Sequence, residues 1–263
     1  PDADIVDKVS DKAEFYKIID GFGIDYPKTA VFYSQKDISA RVLDGFVYPA
    51  VVKPADSSEY WAHPFENMQK VYYPQDAPEA EKIAELIFSS GYEGGVIIQE
   101  RIWNGIERIG VYTAVLDSSS HTAAGVFGKV MLGEPTPTGA GNHVAIITEA
   151  PPQICKKLDV MLEKIGYVGI ANFDLISDGN RWYVLELNPR AGRSSDYTRA
   201  AGVNLGEALV KLALGEKYEP HRVRSVLWRS VPRRTLLKYC KNSELLQNAR
   251  SLISNGNEYS LYA

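Results

Sequence analysis

The sequence predicts an α+β protein in which antiparallel strands and amphipathic helices form separate layers. Three observations predict it. The apolar segments IGVYTAVLD and TAAGVFGKVML flank the turn Ser118-Ser119-Ser120, as antiparallel neighbours do. IANFDLI and RWYVLELN flank Asp178-Gly179-Asn180, whose Asp-Gly step is a strong hairpin signal. PPQICKKLDVMLEKIGY places Ile154, Leu158, Met161, Leu162 and Ile165 on one side of a helix. Hairpins alternating with such helices argue for α+β layers, not for a doubly wound sheet.

Taken in order, DKVSDKAEFYKIIDGFGI reads as a helix with Ser10 as N-cap and a stripe of Phe15, Ile18, Ile19 and Phe22. YPKTAVF begins a strand, DISARVLDGF a short helix, and YPAVVKPA is a β-branched strand ending near Lys53. DSSEYWAHPFENMQK reads as a polar, aromatic loop. APEAEKIAELIFSS is a helix with Pro78 early and Gly91 beyond its end. GGVIIQERI is a short apolar strand, GEPTPTGAGNHV a Pro/Gly-rich loop and AIITEAP a strand leading out of it. The last helix expected runs through NLGEALVKLAL to Gly215. The start, PDADIVDKVSDK, is no signal peptide and reads as abrupt, as though a domain preceded it.

Composition excludes several classes. With 29 Lys+Arg against 33 Asp+Glu the net charge is −4, which suggests no wholesale binding to nucleic acid or anionic membrane. The two cysteines, Cys155 and Cys240, form no C-x-x-C pair; thiol-based zinc is disfavoured and a reducing, cytoplasmic setting fits. No apolar run approaches membrane-spanning length. Arg222, Arg224, Arg229, Arg233 and Arg234 form a local basic cluster, read as a solvated edge strand or a patch for an anionic substrate, with RNA or lipid binding as the lesser alternative.

The chemistry concentrates in VLELNPRAGRSSDYTRAAG. Strand alternation puts Glu186, Asn188 and Arg190 on one face and Leu185 and Leu187 on the other. Folding back at Asp178-Gly179 brings Asp174 opposite Glu186. Two carboxylates beside the Asn188 oxygen make an all-oxygen cluster suited to Mg²⁺, and the absence of His or Cys from it disfavours zinc. Without a cation, two such charges at about 4 Å repel by roughly 4 kcal/mol at an effective dielectric near 20. Arg190 and Arg193 add bidentate donors for phosphate or carboxylate oxygens. A charged hairpin in water remains the plain alternative. Lys53 can reach a phosphate as a point charge, although a lysine at a strand end is commonly just solvated. The strand end at Gln99-Glu100 can face an adenine edge, with Glu107 near a ribose, or be a surface acid. His143 alone points to nothing.

In their order along the chain, SDK, VVKP, IIQE, FDL and ELNPR resemble the ATP-grasp superfamily over about residues 8–210. The resemblance implies an ATP-grasp fold, two α+β subdomains clasping a nucleotide, with the usual N-terminal pre-ATP-grasp domain absent from this chain. It implies an N-terminal helix and linker over 1–40, a small lid subdomain over 41–103, a large subdomain with the metal site over 104–215 and a C-terminal extension over 216–263. ATP and Mg²⁺ are the implied cofactors. Lys12 and Lys53 would bind phosphates; Gln99, Glu100 and the backbone through Ile102 would form the adenine hinge, with Glu107 at the ribose. Lys129 would approach the γ-phosphate or the acyl substrate, Asp174, Glu186 and Asn188 would hold one or two Mg²⁺ ions, and Arg190 the reacting phosphoryl or acyl-phosphate, with Arg193 beside it as a further donor. One departure is that ADSSEYW stands where many relatives have a glycine-rich phosphate loop. NPRAGRSSDYTRAAG and PTPTGAGNHVAI most resemble the carboxylate–amine ligases related to D-aspartate ligase. That implies a small carboxylate, such as D-aspartate, and an amine acceptor, such as the lysine side chain of a peptidoglycan precursor. The alternative is a non-catalytic or truncated ATP-binding module.

Overall fold

The computed structural model describes residues 1–43, 45–102, 108–136, 139 and 141–261. Glu107 therefore lies outside the described residues. The chain opens with two short helices, α1 (Ala3–Ser10) and α2 (Lys12–Gly21). The sequence suggests one helix capped by Ser10. Instead Asp11 is extended, and its carboxylate accepts from the Glu14 N–H at 2.9 Å, which starts α2 afresh. The break leaves Lys12 in the first turn of a helix.

A three-stranded antiparallel sheet follows, built from β1 (Thr29–Phe32), β2 (Ala50–Pro54) and β3 (Val96–Glu100), with β3 in the centre. Between its strands lie α3 (Ala40–Leu43), α4 (Ser57–Ala62) and α5 (Ala77–Ser89). α5 begins at the Asp76 cap and buries Ala77, Ala80, Ala84 and Ile87 against Val52, Val96 and Ile98. α4 occupies the segment expected to be a loop. The Asp56 carboxylate accepts from the Glu59 N–H at 3.1 Å, and Tyr60 is fully buried with its hydroxyl donating to the Gln69 carbonyl at 2.8 Å. An aromatic anchor thus organises a stretch whose polar composition reads as irregular.

The large sheet contains β4 (Ile109–Leu116), β5 (Thr122–Gly133), β6 (His143–Glu149), β7 (Gly169–Ser177), β8 (Trp182–Asn188), β9 (Leu227–Arg229) and β10 (Glu258–Ser260), in the order β10-β9-β6-β5-β4-β7-β8. Helices α6 (Gln153–Lys164), α7 (Asp196–Ala201), α8 (Leu205–Ala213), α9 (Arg233–Tyr239) and α10 (Ser243–Ser254) accompany it. Tyr112, Phe127, Phe173 and Leu187 pack on one face against Leu158 and Met161 of α6 and Phe15 and Ile19 of α2. Val111, Val126, Val130 and Ile146 pack on the other against Tyr197, Ala200 and Ala201 of α7. Gly179, at φ +105°, lets the β7–β8 turn take a backbone conformation strained for other residues.

Two further expectations change. The chain does not stop forming helices at Gly215: α9 and α10 pack Leu236, Leu245 and Ala249 beneath Met131, Ile147 and Leu227. The basic cluster is partly a strut, since Arg229 is buried and pairs with Glu258 at 2.6 Å, and Arg233 pairs with the same carboxylate. Both arginines tie β9 and α9 to β10.

Candidate active site

The β7–β8 hairpin supplies the first part of the site. Its register pairs Asn172 with Asn188 and Asp174 with Glu186, so the two carboxylates face each other across neighbouring strands. Beyond this pair the register shifts, and Leu175 pairs with Val184. The skipped Leu185 is the extra residue of a bulge. Val184 and Leu187 therefore enter the core and Leu185 does not, which corrects the simple alternation expected of this strand. The bulged backbone is used: the Tyr16 hydroxyl donates to the Leu185 carbonyl at 2.8 Å, and the Val184 N–H donates to the Asp25 carbonyl at 2.9 Å.

Two lysines from the N-terminal part approach the pair. Lys12 Nζ donates to the Ala55 carbonyl at 3.0 Å and stands 3.9 Å from Glu186 Oε2. Lys53 Nζ donates to Gln99 Oε1 at 3.1 Å. Burial pushes the Lys53 ammonium down to about 8; Glu186 pulls it back up, while the Lys12 charge pushes it further down. Gln99 is buried, and its amide also donates to the Tyr16 and Thr29 hydroxyls at 2.8 Å each. Its side chain is thus committed to holding Lys53 and α2, which leaves only backbone to face a base. Glu100 and Ile102 line a groove with Lys28, Thr29, Tyr26 and Tyr183.

The carboxylates are not equivalent. Burial raises Asp174 above the usual carboxylate range, the neighbouring His143 draws it back, and the Glu186 charge raises it again. Burial opposes ionisation of Glu186 too, but Lys12 and Lys53 outweigh it, helped by the Asn188 amide, and hold Glu186 below the usual range. Asn188 Nδ2 donates to Glu186 Oε1 at 3.2 Å. A proton thus resides more readily on Asp174, and a cation that displaced it would relieve the repulsion between the pair. Two facing carboxylates and an adjacent amide oxygen fit a hard divalent cation. Among the described residues, no three His, Cys, Asp or Glu side chains gather into a metal-binding group, so the amide is a necessary part of this one.

Arg190 and Arg193 line the same cavity as Asp174, Glu186 and Asn188, along with Lys70, His143 and Ser194. Lys129 is elsewhere. Rows across the sheet align Lys129 with Gly110 and Leu175, whereas Asp174 aligns with Val111 and Gly128, so Lys129 points to the opposite face. There it pairs with Glu149 at 2.8 Å. The Pro/Gly-rich loop is closed by Glu134, which accepts from the Asn142 amide and the Thr136 hydroxyl at 2.9 Å each.

Two wall residues were not singled out from the sequence as site residues. Asn172, buried two residues before Asp174, accepts from the Thr113 hydroxyl at 2.8 Å, which in turn accepts from Tyr197 at 2.9 Å. Its even spacing from Asp174 in IANFDLI was the available signal. His143 is buried and its Nε2 stands 3.8 Å from Asp174 Oδ1. It reaches Asp174 across β5 and β4, where β5 carries register shifts between Val130 and Gly133. No local pattern announces that bend.

Known proteins resemble this chain in sequence and in fold. The family model described as the ATP-binding domain of the carbamoyl-phosphate synthase L chain matches residues 120–220. D-aspartate ligase of Enterococcus faecium (strain Aus0004) is 28% identical over 263 residues, covering 96% of this chain and 62% of that protein. The chain thus spans somewhat less than two thirds of that relative. Among solved structures, the biotin carboxylase domain of Hydrogenobacter thermophilus 2-oxoglutarate carboxylase, in complex with MgADP, superposes with a TM-score of 0.68 at 13% identity, covering 85% of this chain and 49% of that one. The ADP complex of purK, an N5-carboxyaminoimidazole ribonucleotide synthetase, gives 0.64 at 13% identity, covering 84% and 56%. At that identity the likeness speaks for the fold.

Proposed function

We propose that this chain, which has the ATP-grasp fold, is a member of the ATP-grasp superfamily and an ATP-dependent ligase that joins a carboxylate to an amine. The observation that carries the reading is the register pair Asp174–Glu186 with Asn188 beside it, faced by Lys12 from α2 and by Lys53 from β2 of the small sheet. A cation held by Asp174, Glu186 and Asn188 would supply Mg²⁺ chemistry, neutralising phosphate charge during transfer. In this reading the small sheet with its helices, from β1 at Thr29 to β3 at Glu100, serves as the lid; the expected boundary at 40 shifts because β1 pairs with β3, while α1 and α2 pack on the large sheet, which residues 216–263 extend.

Lys12 and Lys53 bind the phosphates of ATP, and the backbone from Glu100 to Ile102 faces the adenine. Arg190 and Arg193 orient the γ-phosphoryl group and the acid. The substrate carboxylate oxygen attacks the γ-phosphorus and ADP leaves, giving an acyl phosphate. The amine nitrogen then attacks the acyl carbon, phosphate leaves and the nitrogen gives up a proton. The protein's part is mainly positioning and charge stabilisation. Lys129, held by Glu149 on the other face, has no role in this transfer. The likeness to D-aspartate ligase supports D-aspartate as the acid and, with it, the lysine side chain of a peptidoglycan precursor as the amine, in the cytoplasm. Among the described residues no helix is long and apolar enough to cross a membrane.

The test is to incubate the chain with ATP, Mg²⁺ and D-aspartate, with hydroxylamine as the trapping amine. Acid-dependent ADP release with formation of the aspartyl hydroxamate supports the ligase. ATP binding without acid-dependent turnover by any of a panel of small carboxylates overturns it and leaves an ATP-binding module.

A further inference from the structure

Gln99 is 2% exposed, and both polar atoms of its side chain are engaged. The direction of its bonds is imposed by backbone further out. The Tyr16 hydroxyl gives its hydrogen to the Leu185 carbonyl at 2.8 Å, and the Thr29 hydroxyl gives its hydrogen to the Pro27 carbonyl at 2.6 Å. A hydroxyl has one hydrogen, so towards Gln99 both groups can only accept. The amide nitrogen must therefore face them, at 2.8 Å each, and the amide oxygen must face Lys53 Nζ, at 3.1 Å. Turning the amide over would set a donor against the ammonium and an oxygen against two hydroxyls with no hydrogen to give. Tyr16 comes from α2 and Thr29 from β1, so the amide is held from two elements.

Two consequences reach the phosphate side of the site. The amide oxygen takes one hydrogen of the ammonium and carries no charge, so two hydrogens and the full positive charge remain for phosphate oxygens. A carboxylate in its place would hold Lys53 in an ion pair and compete with the nucleotide. The same chain of bonds also ends on the Leu185 carbonyl, whose neighbour Glu186 is one acid of the facing pair. We propose that Gln99 is the positioning residue of Lys53, and that the relay Leu185–Tyr16–Gln99 sets where the ammonium stands relative to Glu186 when a nucleotide binds. This rests on the reading of Lys53 as a phosphate ligand, and it gives the Gln99 side chain a task at the phosphates instead of at the adenine.

The experiment is a double-mutant cycle read by calorimetric titration of Mg²⁺·ATP into the full chain, with adenosine titrated alongside. Gln99→Met should weaken Mg²⁺·ATP about tenfold, as loss of a hydrogen bond to a charged group does. Adenosine, which has no phosphate, should change by less than about twofold. In a Lys53→Met background the same substitution should change ATP affinity by less than about twofold, because its effect runs through that lysine. Gln99→Glu keeps the shape of the side chain and should also weaken Mg²⁺·ATP about tenfold, so the test does not depend on the folding of one variant. Equal losses for ATP and adenosine overturn the proposal and make Gln99 a structural or base-contacting residue. A loss that persists in full without Lys53 overturns it as well, and so does wild-type ATP affinity in both Gln99 variants. If Lys53→Met binds ATP as the wild type does, the phosphate role of Lys53 fails and the proposal with it. Absence of any Mg²⁺·ATP binding by the wild-type chain overturns the ligase reading itself.

Discussion

The Tyr16 hydroxyl donates to the carbonyl of Leu185 at 2.8 Å and accepts from the Gln99 amide at the same distance, so one side chain on α2 joins the small sheet to the bulge in β8. Burial pushes this hydroxyl up to about 12, which keeps it protonated and able to donate at any physiological pH.

Tyr16→Phe should cost about 1–3 kcal/mol, because it leaves a partly buried carbonyl and a buried amide short of partners. Urea unfolding reads this directly. An unchanged midpoint would show that water replaces the hydroxyl and that the two layers are held by packing alone.

Glu186→Gln should fold normally and bind Mg²⁺·ATP at least about tenfold more weakly, a loss near 1.4 kcal/mol. The substitution removes the anionic ligand that Lys12 and Lys53 keep ionised. Calorimetry with wild-type affinity for this variant would remove Glu186 from the metal site.

ATP affinity should fall as pH rises. Burial has lowered Lys53 from an ordinary lysine value of 10.5 to about 8, so the free protein loses this positive charge as pH rises through 8. Bound phosphates favour the charged form and raise the value again. Binding is therefore strongest below pH 8, declines above it, and takes up protons around pH 8 to 9. Titration at pH 8 in buffers of different ionisation enthalpy measures the uptake. Lys53→Met should lose both the uptake and the pH dependence; if it retains them, another group titrates.

Lys129→Met should leave ATP affinity within about twofold, under 0.5 kcal/mol, since Lys129 points away from Asp174. A larger loss in calorimetry would mean that the nucleotide reaches the other face of the sheet.

Gly128→Ala should destabilise by about 1–3 kcal/mol through overpacking. Its Cβ would collide with Cγ2 of Ile146 and stand 3.5 Å from the Ile147 carbonyl oxygen and 3.6 Å from Cε2 of Tyr197. Thermal unfolding tests this, and a neutral result would show that β5 and β6 can separate locally.

Much of this arrangement was legible in the sequence where information is local. The Asp-Gly turn and period-two alternation gave the hairpin, and with it the facing of Asp174 and Glu186. What escaped depends on distant pairing. The bulge at Leu185 leaves no trace in composition, so Leu185 looked like a core residue. The face on which Lys129 emerges follows from the registers of β5 with β4 and of β4 with β7, which two hairpins read separately do not supply. His143 stands 3.8 Å from Asp174 although β5 and β4 lie between their strands, a proximity that no single hairpin supplies. Gln99 read as a nucleotide contact, yet the hydroxyls that claim it come from residues 16 and 29, remote in the chain.

The strand that carries His143 has β9 as its outer neighbour, and β9 is in turn covered by β10, paired with it in parallel. On a ribosome, β6 therefore emerges long before the residues that shield its open side. Until those last residues clear the exit tunnel, the nascent chain presents an apolar edge of Ala145, Ile146 and Ile147. Stop codons introduced between residues 215 and 226, before β9, should thus yield chains that engage chaperones or precipitate, though every residue assigned to nucleotide and metal has already been synthesised.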